Sequence, residues 1–324
     1  MENGRFFEAA REDLKQIDLE LDQNLTSSVP LIAQVGRYIL QSGGKRLRPL
    51  LFVLSARLCD YQGKGAHGFS IIFEYLHAAT LLHDDVVDNA DIRRGATSAN
   101  AVWGNSASVL VGDFLLAKSF WLATAHHDQR MLALLSDITT EMAEGEVLEL
   151  VQSDNLDLTQ EEYLEVVRRK TAVLIAGACH LGAVMAGAPQ PQEQALRDFG
   201  TSLGMAFQLI DDNLDYEATI EELGKPVGGD LREGKVTLPL IHTLARCTPE
   251  QKARIKEVMD SAPIEEAAFE EIKGIIGNHD GLEAGRHMAA RYINEAKASL
   301  VPFADGPVKQ LLYDIADYVI SRRR

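Results

Sequence analysis

The sequence predicts an all-α protein: one large helical bundle enclosing a central cavity, with residues 1–324 forming a single domain. Two observations carry the class. Apolar residues recur at three and four spacing from one end to the other, and no stretch shows a convincing strand ladder. A third supplies the cavity. The pattern DDxxD occurs twice, each time near the C-terminal end of an apolar helical stretch, so two helices can present carboxylates across a shared space.

In chain order the helical stretches are IDLELDQNL, LIAQVGRYIL, IIFEYLHAATLLHDD, ASVLVGDFLLAKSFWLATA, YLEVVRRKTAVLIAGACHLGAVM, LRDFGTSLGMAFQLIDDNLDY and VKQLLYDIADYVISRR. Gly and Pro end helices at SGGKRLRP, YQGKGAHG, APQPQ, EELGKPVGGDLREGK and CTPEQ. None of these breaks is long or biased enough to be a domain linker. The run from Thr171 to Pro189 approaches the length of a membrane span, but it is full of Ala and Gly and contains His180. It reads as a tightly packed internal helix, and no integral membrane segment is expected.

With 48 acidic against 32 basic residues the net charge is −16, which repels nucleic acid and anionic membrane surfaces. Cys59, Cys179 and Cys247 are odd in number and lack CxxC spacing, and MENGRFFEAAREDLKQ is no secretory signal. A reduced, cytoplasmic protein is expected.

The chemistry begins at LLHDDVVDNADIRRG, residues 81–95. On a helix Asp84 and Asp88 lie one turn apart on one face with Asp85 beside them. Like charges at that spacing repel, and the apolar flanks argue against a solvated face, so a cation belongs between them. A chain of this length has about a 4% chance of one accidental DDxxD. Here a second, Asp211, Asp212 and Asp215, repeats the first. Carboxylates without nearby Cys or His suit a hard cation. Mg²⁺ takes one or two of them and completes its shell with waters and substrate phosphates. A di-iron centre would need two Glu-x-x-His motifs, and only Glu74 to His77 matches.

Phosphates also call for basic side chains. SGGKRLRP supplies Lys45, Arg46 and Arg48 after two glycines, Arg93 and Arg94 follow the first aspartates, and Lys225, Arg232 and Lys235 follow the second. The loop lacks the GxxxxGK[ST] form of a nucleotide P-loop. EGEVLE reads as an exposed face, which leaves Glu144, Glu146 and Glu149 outside the site, and the closing RRR reads as a solvated terminus.

The segments GGKRLRP, EYLHAATLLHDDVVDNADIRRG, GDFLLAKSF, EGEVLEL, KTAVL, FQLIDDNLD, GKPVGGDLREGKVTLPL and IADYVISRR together resemble the trans-polyprenyl diphosphate synthase family, of the long-chain octaprenyl or decaprenyl type. The resemblance implies the isoprenoid synthase fold and a Mg²⁺-dependent prenyltransferase. It would condense an allylic diphosphate, farnesyl or geranylgeranyl, with successive isopentenyl diphosphates, for quinone side chains. It implies Mg²⁺, three ions with substrate bound, held directly by Asp84, Asp88 and Asp211 and supported by Asp85, Asp212 and Asp215. Arg93, Lys170, Lys225 and Lys235 would contact the allylic diphosphate. Lys45, Arg48, His77 and Arg94 would hold isopentenyl diphosphate, and Thr171 and Gln208 would stabilise the carbocation. A homodimer is implied as well.

A long product needs an open apolar tunnel running back from the aspartates along their helix. Ala79 and Thr80 are small where short-chain relatives often carry aromatics, with Leu76, Tyr75 and Phe73 beyond, and Phe120 and Trp121 as floor candidates. Asn213 and Glu149 depart from the family pattern, which has an apolar residue and a glutamine there. The alternatives are a shorter-chain synthase, or a non-catalytic subunit of a heteromeric one. A terpene cyclase would replace the second aspartate motif, and a membrane prenyltransferase would not be 25% charged.

Overall fold

A computed structural model describes residues 5–93, 95–217, 228–261 and 263–322 of the chain. The described residues are helical almost throughout: α1 (Arg5–Ala9), α2 (Arg11–Asn24), α3 (Pro30–Gln41), α4 (Leu47–Leu58), α5 (Ala66–Val87), α6 (Ala99–Trp103), α7 (Asn105–Thr124), α8 (Gln129–Gln152), α9 (Gln160–Val167), α10 (Val173–Met185) and α11 (Gln190–Glu217). Shorter helices then lead to Gly281–Ser299 and the C-terminal helix Pro307–Ser321. Of the predicted breaks, CTPEQ becomes a helix start at which Thr248 makes a capping box with Gln251, which satisfies N–H groups the first turn leaves unpaired. One feature went unpredicted. Ile92–Arg93 pairs antiparallel with Ala96–Thr97, a ladder too short to leave an alternating pattern.

The run beginning at Thr171 is the internal helix expected of it. Along α10 every residue but His180 and Met185 is buried, packed between α4, α8 and α11. Gly182 permits a close backbone approach, because a Cβ there would stand 2.5 Å from the Phe52 carbonyl. Among the described residues one helix, α7, is long and apolar enough to cross a membrane by length and composition, with a third of that stretch buried.

Outside the centre, α2 is tied on by Asp13. It accepts hydrogen bonds from Arg57 at 2.7 and 2.9 Å and faces His67 Nε2 at 2.9 Å. Burial alone would raise this carboxyl, but His67 and Arg57 prevail and hold it at about 2. A carboxylate depressed on folding stabilises above its unfolded value near 4, and that stability is lost as pH falls through the folded value. Arg57 is half-exposed, so the contribution is discounted for solvent screening. Asp13→Asn is expected to cost about 1–2 kcal/mol at pH 7, with the gap from the parent closing between about pH 4 and 2 in urea titrations.

Candidate active site

The first aspartate motif closes α5. Asp84 and Asp85 lie in its last turn and Asp88 caps it. Asp85 points away from solvent altogether and takes the guanidinium of Arg93, which the two-residue strand pair turns back toward it. Asp84 and Asp88 stay partly exposed. Burial, then Glu146, pushes the Asp84 carboxyl up to about 7 against the pull of Lys170 and Arg93.

The second motif closes α11 and is arranged differently. Asp212 is buried, with one oxygen accepting from Gln208 Nε2 at 2.7 Å and the other from the Tyr163 hydroxyl. Gln208 in turn accepts from Thr171 Oγ1 at 2.8 Å. Asp215 accepts the Asp230 N–H at 2.9 Å, and its carbonyl accepts that of Gly228 at 2.9 Å. It therefore anchors the segment that carries Lys235. The ammonium of Lys235 lies 3.5 Å from Asp88, 2.6 Å from Glu233 and 4.0 Å from Glu149. One lysine thus joins the segment fixed by the second motif to the end of the first.

Lys170 arrives by a break in the helix. Residues Arg168–Ala172 form a π turn between α9 and α10, a local irregularity that frequently marks functional sites. Lys170 pairs with Glu146 at 2.8 Å and with Glu149. Burial opposes its charge, but Glu149, Glu146 and Asp84 keep it protonated well above the ordinary lysine range. Lys235 is held the same way, by Glu149, Glu233, Asp230 and Asp88 against burial. A cavity of about 100 Å³ opens among Glu149, Lys170, Thr171, Gln208, Asp212 and Lys235. The turn fits because α8 presents Gly145 there. A Cβ would meet Lys170 N at 2.5 Å. Gly145→Ala is expected to cost about 1–3 kcal/mol by overpacking and about tenfold in kcat through displaced Lys170, as read by thermal unfolding and steady-state rates.

The basic loop is braced from three sides. Arg46, with φ 51, pairs with Glu74 at 2.6 Å and Asp18 at 2.9 Å and donates to the Leu40 carbonyl at 2.6 Å. This fixes Lys45 and Arg48 on either side and brings the loop to α5 one turn before His77. The Lys45 ammonium lies 5.0 Å from the centre of the Tyr318 ring. Arg94 and Lys225 lie outside the described residues.

Of the length candidates, Leu76 and Ala79 are buried on α5, Thr80 is partly buried with its hydroxyl donating to the His77 carbonyl at 2.9 Å, and Phe120 is partly buried on α7. Of the others, Tyr75 donates to the Leu21 carbonyl at 2.7 Å and Phe73 packs on Phe52, both buried in the same core as Leu76 and Ala79. Trp121 is 60% exposed under the Lys118 ammonium. EGEVLE is corrected in part: Glu146 and Glu149 belong to the lysine cluster, while Glu144, Val147 and the following Leu150 and Val151 are exposed. Tyr163 and Arg322 were missed. Tyr163 precedes Lys170 by two helical turns, a spacing that could have drawn attention to it.

The site holds more carboxylates than lysines, the balance a divalent cation would restore. Among the described residues no three His, Cys, Asp or Glu side chains gather closely enough to hold a metal unaided. That suits Mg²⁺, which leaves most of its shell to water and phosphate.

A family model described as polyprenyl synthetase matches residues 29–276. The chain belongs to this family. It is a prenyltransferase of a family that depends on divalent metal. It is 40% identical over 317 residues to the octaprenyl diphosphate synthase of Escherichia coli (strain K12), covering 98% of each chain. Its fold matches the crystal structure of a decaprenyl diphosphate synthase from Rhodobacter capsulatus with a TM-score of 0.93 at 40% identity, covering 99% of each chain. A polyprenyl synthase from Caulobacter crescentus CB15, crystallised with calcium and isoprenyl diphosphate, matches with a TM-score of 0.95 at 39% identity, covering 99% of this chain and 98% of that one.

Proposed function

We propose that the protein extends an allylic diphosphate, farnesyl or geranylgeranyl, with successive isopentenyl diphosphates to an all-trans octaprenyl-to-decaprenyl diphosphate. The observation that carries this reading is Lys235, reaching from the segment anchored by Asp215 to Asp88 and Glu149. Two lysines and Asp212 of the second motif thereby face one cavity, and Lys235 links it to Asp88 at the end of the first, an arrangement suited to a diphosphate carried with metal. Relatives named for octaprenyl and decaprenyl products support the length, and the relative crystallised with calcium and isoprenyl diphosphate supports the ligands.

Asp84, Asp88 and Asp211 would hold Mg²⁺, three ions with substrate bound, while Asp85, Asp212 and Asp215 hold the surrounding chain in place. Bound Mg²⁺ supplies charge neutralisation for the departing diphosphate. Lys170, Lys235 and Arg93 grip the same diphosphate and stabilise the charge that develops as the C1–O bond breaks. Thr171 and Gln208 turn oxygen dipoles toward the carbocation. Lys45, Arg48 and His77 hold isopentenyl diphosphate so that its C4 bonds to C1, and the proton then lost from C2 passes to the released diphosphate. No side-chain nucleophile enters.

Leu110 and Trp121 on α7 and Val147, Leu150 and Val151 on α8 are exposed apolar side chains. We assign this face to a second copy of the chain, the whole forming one domain per subunit. Three unpaired cysteines accord with a cytoplasmic setting.

The test is incubation of the purified protein with farnesyl diphosphate, labelled isopentenyl diphosphate and Mg²⁺, with and without chelator, followed by sizing of the products. A chelator-sensitive ladder ending in the octaprenyl-to-decaprenyl range is expected. A ladder stopping at geranylgeranyl would retain the chemistry and overturn the length, and no incorporation would point to a subunit needing a partner.

A further inference from the structure

The C-terminal helix ends inside the site. Arg322 follows its last turn with its side chain only 4% exposed, and Nη2 lies 2.9 Å from Asp211 Oδ1. The guanidinium stands 3.7 Å from the centre of the Phe207 ring and donates to the Phe207 carbonyl, while its Nε is buried with no hydrogen-bond partner among the described residues. One turn earlier Tyr318 meets Lys45 on one side and Phe6 and Phe7 on the other. A single helix end therefore touches both the basic loop and the second aspartate motif.

Asp211 differs from its neighbours. Asp212 is occupied by Tyr163 and Gln208, and Asp215 by the Asp230 N–H. Asp211 alone of the three is half-exposed, and the group upon it is a cation. A guanidinium and a divalent ion repel when they share one carboxylate. A buried arginine with one half-exposed partner and an orphaned Nε is also incompletely compensated, so it yields its place more readily than a fully paired one.

We propose that Arg322 is an internal counter-cation on Asp211 that a divalent metal must displace, so that metal binding at the second motif frees the end of the C-terminal helix. This rests on reading Asp211 as a metal ligand.

Mn²⁺, titrated alone and followed by electron paramagnetic resonance, reports the metal site without turnover. Arg322→Gln is expected to tighten Mn²⁺ binding about tenfold, a change of about 1.4 kcal/mol, and Arg322→Lys to restore the parent affinity. In the parent protein Mn²⁺ should speed amide hydrogen exchange over residues 315–322. Unchanged or weaker binding in Arg322→Gln, or an equally protected helix end with Mn²⁺, overturns the proposal. Asp211→Asn separates the two readings. If it weakens Mn²⁺ binding while Arg322→Gln does nothing, only the counter-cation is lost; if it leaves binding unaltered, the metal role of Asp211 fails and the proposal with it.

Discussion

Asp84→Asn is expected to lower kcat by about 10³-fold while making the ligand-free protein more stable. The two effects share one cause. Asp84 is held beside Glu146 in a part-buried position, and its carboxyl is pushed up to about 7 first by burial and then by that neighbour. A carboxyl raised on folding binds its proton more tightly in the folded state. Its contribution to stability is therefore complete below the unfolded value near 4 and is lost as pH rises through about 7. At pH 7.5 the charge is a net cost of about 1–2 kcal/mol after discounting for solvent contact. Asparagine removes that cost together with the ligand. Thermal scans should show the parent losing stability between about pH 4 and 7 and the variant losing less, with Mg²⁺ and pyrophosphate closing the gap from the parent's side. A variant with near-parent kcat would remove Asp84 from the metal site. A melting temperature lower than the parent's at pH 7.5 would show that the charge is not strained. Activity and stability pull apart at such positions because the fold maintains a charge that only the ligand compensates.

The parts that could be read from sequence were those where residue type and helical period coincide. The two DDxxD patterns sit where the helical period placed them, at the ends of apolar helices. The Ala- and Gly-rich run after Thr171 announced a central helix by the smallness of its side chains. What escaped were the features with no periodic trace. The π turn at Arg168–Ala172 interrupts neither the apolar spacing nor the helical propensity of VVRRKTAVL, so one continuous helix was expected where the structure inserts Lys170 and Thr171 into the site. Glu146 and Glu149 share a helix with exposed Val147 and Leu150, and nothing local says which side of that helix meets lysine. RRR at the terminus looks solvated because isolated cations usually are. Only the fold brings Phe207 and Asp211 to Arg322. Asn213, out of pattern by type, donates to the Leu282 carbonyl at 2.7 Å, so it ties α11 to the helix Gly281–Ser299 and stays outside the cavity. Glu149, out of pattern by one atom, bears a charge that both lysines use.

Ala79→Tyr is expected to cut the product to roughly three to four isoprene units, on a helical rise of about 1.5 Å per residue. Ala79 stands five residues before Asp84, about 7.5 Å back along α5 from the carboxylates. An extended isoprene unit covers about three helical residues, so a floor at that depth leaves room for about two units beyond the one beside the diphosphate. Leu76 is one turn deeper, and Leu76→Phe should therefore end the ladder about one unit later than Ala79→Tyr. The ordered pair is the sharper test, because two unrelated disturbances of the core would not step the product in register with the helix. Both positions are buried, and each enlargement should cost about 1–3 kcal/mol. Product sizing is accordingly paired with thermal unfolding of the same samples. Shortened ladders at near-parent turnover place both side chains on the path of the growing chain. Destabilised variants that still make the full-length product would move the tunnel to another face of α5 and leave Ala79 as packing against α7.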